Sequence, residues 1–286
     1  MEHNRTHSNE MKAAVVGLGV IGAVWAGHLD RAGILKASWN RSPKLDAPKA
    51  IPNLTDVPEI ADIIHIVVSD EVAAADVVEQ LLPMLHAHHL VIQSTTIDPQ
   101  TSTRLKQQVE ACGAHYVECP FTGSLPAAIE RKTVFFVGAT GALYDRALAY
   151  LRNLSETQFC LESNQAACMI KLAMNLQIAS AMNAMAEALT ICRETGIPDG
   201  LFFDVFRANA SYSGVARLKE GRILANDFSP QFSTKHMAKD MRLLLSSVKR
   251  KFGGLLACDA SLKETIKAGF ADEDFSSILK WLSQGG

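Results

Sequence analysis

The sequence predicts an α/β protein in two parts. An N-terminal doubly wound domain of alternating strands and helices is followed by an all-helical C-terminal domain, with one long interdomain helix. Three observations carry this. Strand-length apolar runs alternate with helix-length segments as far as Val137. A glycine-rich turn, Gly17-Leu18-Gly19-Val20-Ile21-Gly22, follows the first of those runs. From Ser163 onward the strand signals cease, and Asn164 to Thr195 continues with almost no helix breaker. These features place the two domains at 1–162 and 163–286.

Met1 to Glu10 is polar, lacks the apolar core of a signal peptide, and reads as a disordered tail. The apolar run from Ala13 is the first strand. It ends in G-x-G-x-x-G, in which each glycine has a task. Gly17 allows the tight turn, Gly19 lets backbone approach a pyrophosphate, and Gly22 lets the next helix pack on the strand. Phosphates would then meet a helix N-terminus, where free N–H groups and the helix dipole favour negative charge. The spacing alone is a weak signal in a chain with 18 glycines. The strand before it and the helical stretch to Leu29 after it strengthen the dinucleotide reading.

Leu35 to Trp39 is the second strand. An NAD site puts Asp or Glu near its end, about 20 residues past the glycines. Here the chain reads Asn40-Arg41-Ser42, with no carboxylate before Asp46. Arg41 suits a 2′-phosphate, with Asn40 and Ser42 as hydrogen-bond donors, which favours NADP over NAD. The alternative is a solvated loop arginine. Pro43, Pro48, Pro52 and Pro58 then forbid a long helix over 43–60 and predict a truncated connection.

Further strands are predicted at Ala61 to Val68, Leu90 to Gln93, His115 to Glu118 and Thr133 to Val137, forming a mostly parallel sheet covered on both faces. Val68 and Ser69, at the end of the third strand, join the cofactor-binding set. His86, His88 and His89 lack an acidic or cysteine ligand at metal spacing and read as a surface loop, so no metal is expected. Pro120-Phe121-Thr122-Gly123-Ser124 follows a strand. It is either an ordinary turn or, through its N–H groups and two hydroxyls, a carboxylate cradle.

The long helix over 164–195 is stopped by Gly196 and Pro198. Later helices are predicted at 199–208, 213–224, 234–251, 259–269 and 274–283. Lys171 and Asn175 are four apart and share one face of the long helix, amid Met169, Ile170, Leu172 and Met174. A buried lysine needs a reason; the alternative is one that snorkels to solvent. Phe232 to Arg242 gathers several titratable side chains into a short stretch and, taken alone, reads as a solvated helix face.

Composition narrows the classes. The 286 residues are 48% hydrophobic and 20% charged, which allows a sizeable core and argues against global disorder. The net charge of −2 gives no sign of nucleic acid or of an anionic membrane as partner, and no segment has the length of a membrane helix. The six cysteines form no C-x-x-C pair, which fits reduced thiols and a cytoplasmic protein. The long apolar helix suggests a homodimer or higher homo-oligomer.

Together these segments resemble the β-hydroxyacid dehydrogenase family, over nearly the whole chain and in the right order. The nearest branch in motifs is the glyoxylate/succinic semialdehyde reductases. The resemblance implies a Rossmann domain that binds NADP(H), then a helical domain. It also implies hydride transfer between nicotinamide and a small carboxylate-bearing aldehyde, keto acid or hydroxy acid. It places Thr96 in the loop approaching the cofactor and Thr122, Gly123 and Ser124 in the substrate turn. Lys171 falls on the catalytic lysine and Asn175 on the asparagine one turn later, both beside the substrate. Lys239, of the Lys239-Asp240 pair, falls on the lysine that reaches the cofactor. Several positions depart from the family pattern. Thr122 replaces a serine, Gln165 and Ala167 replace glycines, Met174 replaces an asparagine, and Arg131 replaces a glycine. The alternatives are an imine reductase-like enzyme on the same scaffold and a non-catalytic NADP-binding module; Lys171 argues against both.

Overall fold

The computed structural model describes residues 11–44 and 46–285; the tail expected over 1–10 lies outside them. Strand β1 (Ala13–Val16) is apolar and buried at all four positions, as an internal strand covered on both faces must be. Helix α1 (Val20–Arg31) leaves the glycine turn, and β2 (Leu35–Trp39) returns beside β1. The proline-broken stretch forms only a 3₁₀ turn and the single-turn helix α2 (Val57–Ile60), so the predicted truncation is what the chain adopts. Then follow β3 (Ile63–Ile66), α3 (Glu71–Leu81), β4 (Leu90–Gln93), α4 (Pro99–Ala111) and β5 (His115–Glu118).

These strands form one parallel sheet in the order β2-β1-β3-β4-β5. Alternate side chains enter two core layers. Ala14, Val16, Ile64, Ile66 and Val91 pack on one side, and Ala13, Val15, Ile63, Leu90, Ile92 and Val117 on the other. The register aligns Val16 with both Trp39 and Ile66, Ile66 with Gln93, and Gln93 with Glu118. All five strands therefore release their loops along one edge. The crossovers turn in opposite directions on either side of β1, which makes the β1/β3 position the switch point where such sheets bind ligands.

The strand expected at 133–137 does not extend this sheet. Only Cys119 and Pro120 separate β5 from β6 (Phe121–Thr122), far too few for a crossover to a parallel neighbour. After α5 (Leu125–Ile129), β7 (Val134–Val137) pairs antiparallel with β6. After α6 (Gly141–Leu151), β8 (Thr157–Cys160) pairs parallel with β7. These three form a separate small sheet.

Helix α7 (Asn164–Glu194) follows, 31 residues and so about 46 Å long. The chain divides into two compact units, Met1–Lys171 and Leu172–Gly286, and α7 contributes its first turns to the former and the rest to the latter. The second unit continues with α8 (Asp199–Arg207), α9 (Gly214–Leu224), α10 (Thr234–Ser247), α11 (Gly253–Thr265) and α12 (Ile278–Leu282). α10 ends earlier than the sequence suggests, because Val248 turns extended. α11 starts earlier, with Gly253 and Gly254 in its first turn, where backbone N–H groups have no intrahelical partner. Among the described residues no helix is long and apolar enough to cross a membrane.

Candidate functional site

The glycine turn takes the shape its spacing predicts. Gly17 has φ +102°, and a Cβ there would lie 2.2 Å from the Val67 carbonyl oxygen. A Cβ on Gly22 would lie 1.9 Å from the Gly17 oxygen, so helix and turn touch backbone to backbone. Gly19 faces open space: a methyl group on its Cα would meet nothing within 4 Å, and it is the residue that caps α1. Gly19 has no side chain to cap that helix, which leaves its first N–H groups available to an anion. This fits the pyrophosphate of a dinucleotide.

The end of β2 adds a detail absent from the sequence argument. Asn40 Oδ1 accepts from Leu18 N at 2.9 Å, and Asn40 Nδ2 donates to the Ser42 carbonyl at 2.7 Å. Its side chain therefore fixes the glycine turn from the neighbouring loop. Lys44 Nζ donates to the Leu18 carbonyl at 2.6 Å, a second tie onto the same turn. Arg41 and Ser42 are exposed. Val68 N donates to Thr95 Oγ1 at 3.0 Å, and Ser69 Oγ donates to Asp70 Oδ2 at 2.8 Å. Thr96 follows in the loop after β4. Gly17 to Gly22, Asn40 to Ser42, Val68, Ser69 and Thr96 thus all lie along the carboxyl edge of the parallel sheet.

Lys171 is 9% exposed. Its Nζ lies 5.9 Å from the centroid of the Phe121 ring. Phe121 is held in turn by Trp25 of α1 in an edge contact at 4.8 Å, and Trp25 stacks on His65 of β3 at 4.9 Å. The lysine therefore stands beside the strand that contains Thr122 and leads into Gly123 and Ser124. Gly123 has φ +124°, and a Cβ there would press on Thr133 and Ala127. His65 is fully buried. Ser94 Oγ gives its hydrogen to the Cys119 carbonyl at 2.5 Å, so it accepts from His65 Nε2 at 2.7 Å, and Nδ1 accepts from Tyr150 Oη at 3.0 Å. Burial lowers the His65 pKa to about 3, so the ring is neutral scaffold.

In the second unit Asn175 is 2% exposed and its Nδ2 donates to Asp240 Oδ2 at 2.5 Å. Lys239 Nζ lies 3.2 Å from Asp240 Oδ1. Asp240 thus ties the α7 asparagine to α10 and holds the neighbouring lysine, a part that no local sequence signal assigns to it. The expected histidine loop differs in one member. His86 and His88 are exposed, but His89 is buried, with its Nε2 bonded to the Pro58 carbonyl at 2.8 Å. Apolar Leu85 and Leu90 on either side were the only hint of that burial.

Two family models match. Residues 12–168 match the NAD-binding domain of 6-phosphogluconate dehydrogenase, and residues 166–282 match the NAD-binding domain of NADP-dependent 3-hydroxyisobutyrate dehydrogenase. The chain is 24% identical over 284 residues to the cytokine-like nuclear factor N-PAC of Drosophila melanogaster, covering 95% of this chain and 47% of that protein. It is 24% identical over 282 residues to glyoxylate/succinic semialdehyde reductase 1 of Arabidopsis thaliana, covering 94% of this chain and 98% of that one. It thus spans about half the length of the first of these relatives. Among solved structures, a 3-hydroxyisobutyrate dehydrogenase from Salmonella typhimurium superposes with TM-score 0.85 at 18% identity, over 94% of this chain and 99% of that one. The Mycobacterium tuberculosis 3-hydroxyisobutyrate dehydrogenase with L-serine gives TM-score 0.85 at 21% identity, over 95% and 99%.

Proposed function

The chain belongs to the 3-hydroxyisobutyrate dehydrogenase-like family of NAD(P)-binding proteins, and from that premise we propose that it is an NADP(H)-dependent oxidoreductase acting on a small aldehyde or keto acid, or on the matching hydroxy acid. The observation that carries the reading is the burial of Lys171 beside the Phe121 ring, at the strand leading into the Thr122 turn. A lysine buried to this degree calls for a reason, since burying a charge is costly unless it is paired.

The cofactor, when bound, supplies the hydride. Gly17 to Gly22 cradle its pyrophosphate at the start of α1, with Asn40 holding the turn in shape. Arg41 and Ser42 take the 2′-phosphate, and Val68, Ser69 and Thr96 border the site from the next strands. Thr122, Gly123 and Ser124 bind the substrate carboxylate. Lys171 polarises the carbonyl and gives a proton from Nζ to the forming alkoxide oxygen. Asn175 orients that oxygen, and Lys239 reaches the cofactor. The relatives named as glyoxylate/succinic semialdehyde reductases favour a semialdehyde or glyoxylate as the carbonyl acid.

Replacing Lys171 tests the assignment. Lys171→Ala should lower kcat by about a hundredfold or more, the usual weight of a general acid, with NADPH affinity near that of wild type. Turnover retained within a few-fold would remove Lys171 from the chemistry.

A further inference from the structure

Glu118 ends β5 with its carboxyl fully buried, and three donors converge on it. Ser102 Oγ and Tyr116 Oη each donate to Oε2 at 2.6 Å, and Gln93 Nε2 donates to Oε1 at 3.0 Å. Two arms lead away from this centre. On one, Gln93 brackets Thr95. Gln93 Oε1 accepts from Thr95 N at 2.6 Å, and Gln93 Nε2 donates to Thr95 O at 2.8 Å. Thr95 Oγ1 in turn accepts from Val68 N. This arm ends on the loops that carry Val68, Ser69 and Thr96. On the other arm, Ser102 Oγ accepts from Asn164 Nδ2 at 3.2 Å. Asn164 is the first residue of α7, two turns before Lys171. The cofactor-side loops and the start of the lysine's helix are therefore tied to one buried carboxyl.

We propose that Glu118 is a positioning residue for the reaction, setting the first turns of α7, and with them Lys171, against the loops after β3 and β4. The inference rests on the oxidoreductase reading above. Glu118 acts through Gln93 and Ser102, to which it is hydrogen-bonded. The titratable groups that face it are Tyr116 on its own strand, Cys119 just beyond, Asp98 at the start of α4 and Cys168 on α7. Burial raises its pKa to about 8, against the pull of the three donors. The ionised carboxylate accepts all three hydrogens. Protonation adds a fourth hydrogen to the same three contacts, so one buried hydroxyl must turn away. The two protonation states thus hold the Ser102–Asn164 arm differently.

The variants E118Q and S102A, alone and together, test this by kinetics across the neutral-to-alkaline range and by amide hydrogen exchange over residues 164–171. Wild-type kcat should inflect near pH 8, and E118Q, which cannot ionise, should lack that inflection. Above pH 8, where Glu118 is ionised, each single variant should lower kcat about tenfold through misplacement of the lysine, with the KM for NADPH within about twofold. The double variant should fall no further than either single one, since both cut the same arm. Exchange over 164–171 should quicken in every variant. An inflection that survives in E118Q, kcat losses that multiply, or unchanged exchange would each overturn the proposal. If wild type reduces no carbonyl acid, the functional reading fails, and exchange alone then decides the positioning role. If E118Q does not fold, S102A decides by the same kcat and exchange criteria.

Discussion

Asn40 and Arg41 divide the work at the end of β2. Asn40 is turned inward onto Leu18 N, while Arg41 stays exposed beside the cofactor turn. The difference is physical: a short amide suits a backbone N–H one strand away, whereas a long guanidinium suits a doubly charged phosphate in solvent. If Arg41 meets the 2′-phosphate, Arg41→Ala should raise the KM for NADPH by about tenfold or more, the weight of one hydrogen bond to a charged group. The KM for NADH should stay near its wild-type value. Steady-state kinetics with both cofactors checks this; equal losses would mean that Arg41 does not read the phosphate. The glycine turn was legible because backbone freedom is a property of residue type. The inward turn of Asn40 was not, because Asn40 and Ser42 offer the same donors to a sequence reading.

Among the elements, α10 depends on a buried ion pair that periodicity does not reveal. Lys219 of α9 and Asp274 pair at 2.7 Å, with side chains 5% and 0% exposed. Asp274 Oδ2 also accepts from the backbone N–H groups of Gln231 and Phe232, in the segment that leads into α10. Burial alone would raise the Asp274 pKa, but the Lys219 charge and the hydrogen bonds from Lys219 and Ser276 outweigh it and leave the pKa below the ordinary carboxylate value. A carboxyl with a depressed folded-state pKa adds stability above its unfolded pKa, and that stability is lost as pH falls through the folded value. Asp274→Asn leaves Lys219 charged and buried without its partner, so it should cost about 3–5 kcal/mol at neutral pH. The gap from wild type should narrow in acid. Denaturant unfolding across that range measures it; a cost under about 1 kcal/mol, the level of an exposed pair, would refute the role. The small sheet was hidden for a related reason. β6 has only two residues and β8 is largely exposed, so neither shows the buried apolar run that marks β1 or β4.

Across the whole molecule, the order of motifs was legible from end to end, because each combines a strand or helix signal with chemistry that local sequence states outright. The connections among them were not. Gln93, Ser102, Tyr116, Glu118 and Asn164 meet only after folding, and nothing in their spacing marks Glu118 as buried. The same holds for the bond between Asn175 and Asp240, 65 positions apart. Two family models and the reductase relatives cover the same ground as the motifs, from the glycine turn to the Lys239-Asp240 pair. The function proposed for these motifs is transfer of a hydride to a small carbonyl acid, and isotope transfer examines it directly. With NADPH deuterated at nicotinamide C4 on the transferred face, wild-type protein incubated with succinic semialdehyde or glyoxylate should yield the hydroxy acid with one deuterium on the carbinol carbon. The Lys171→Ala variant should bind the same cofactor and form almost none. Bound NADPH with no deuterated hydroxy acid from wild type, across a panel of small semialdehydes and keto acids, would contradict the proposed function.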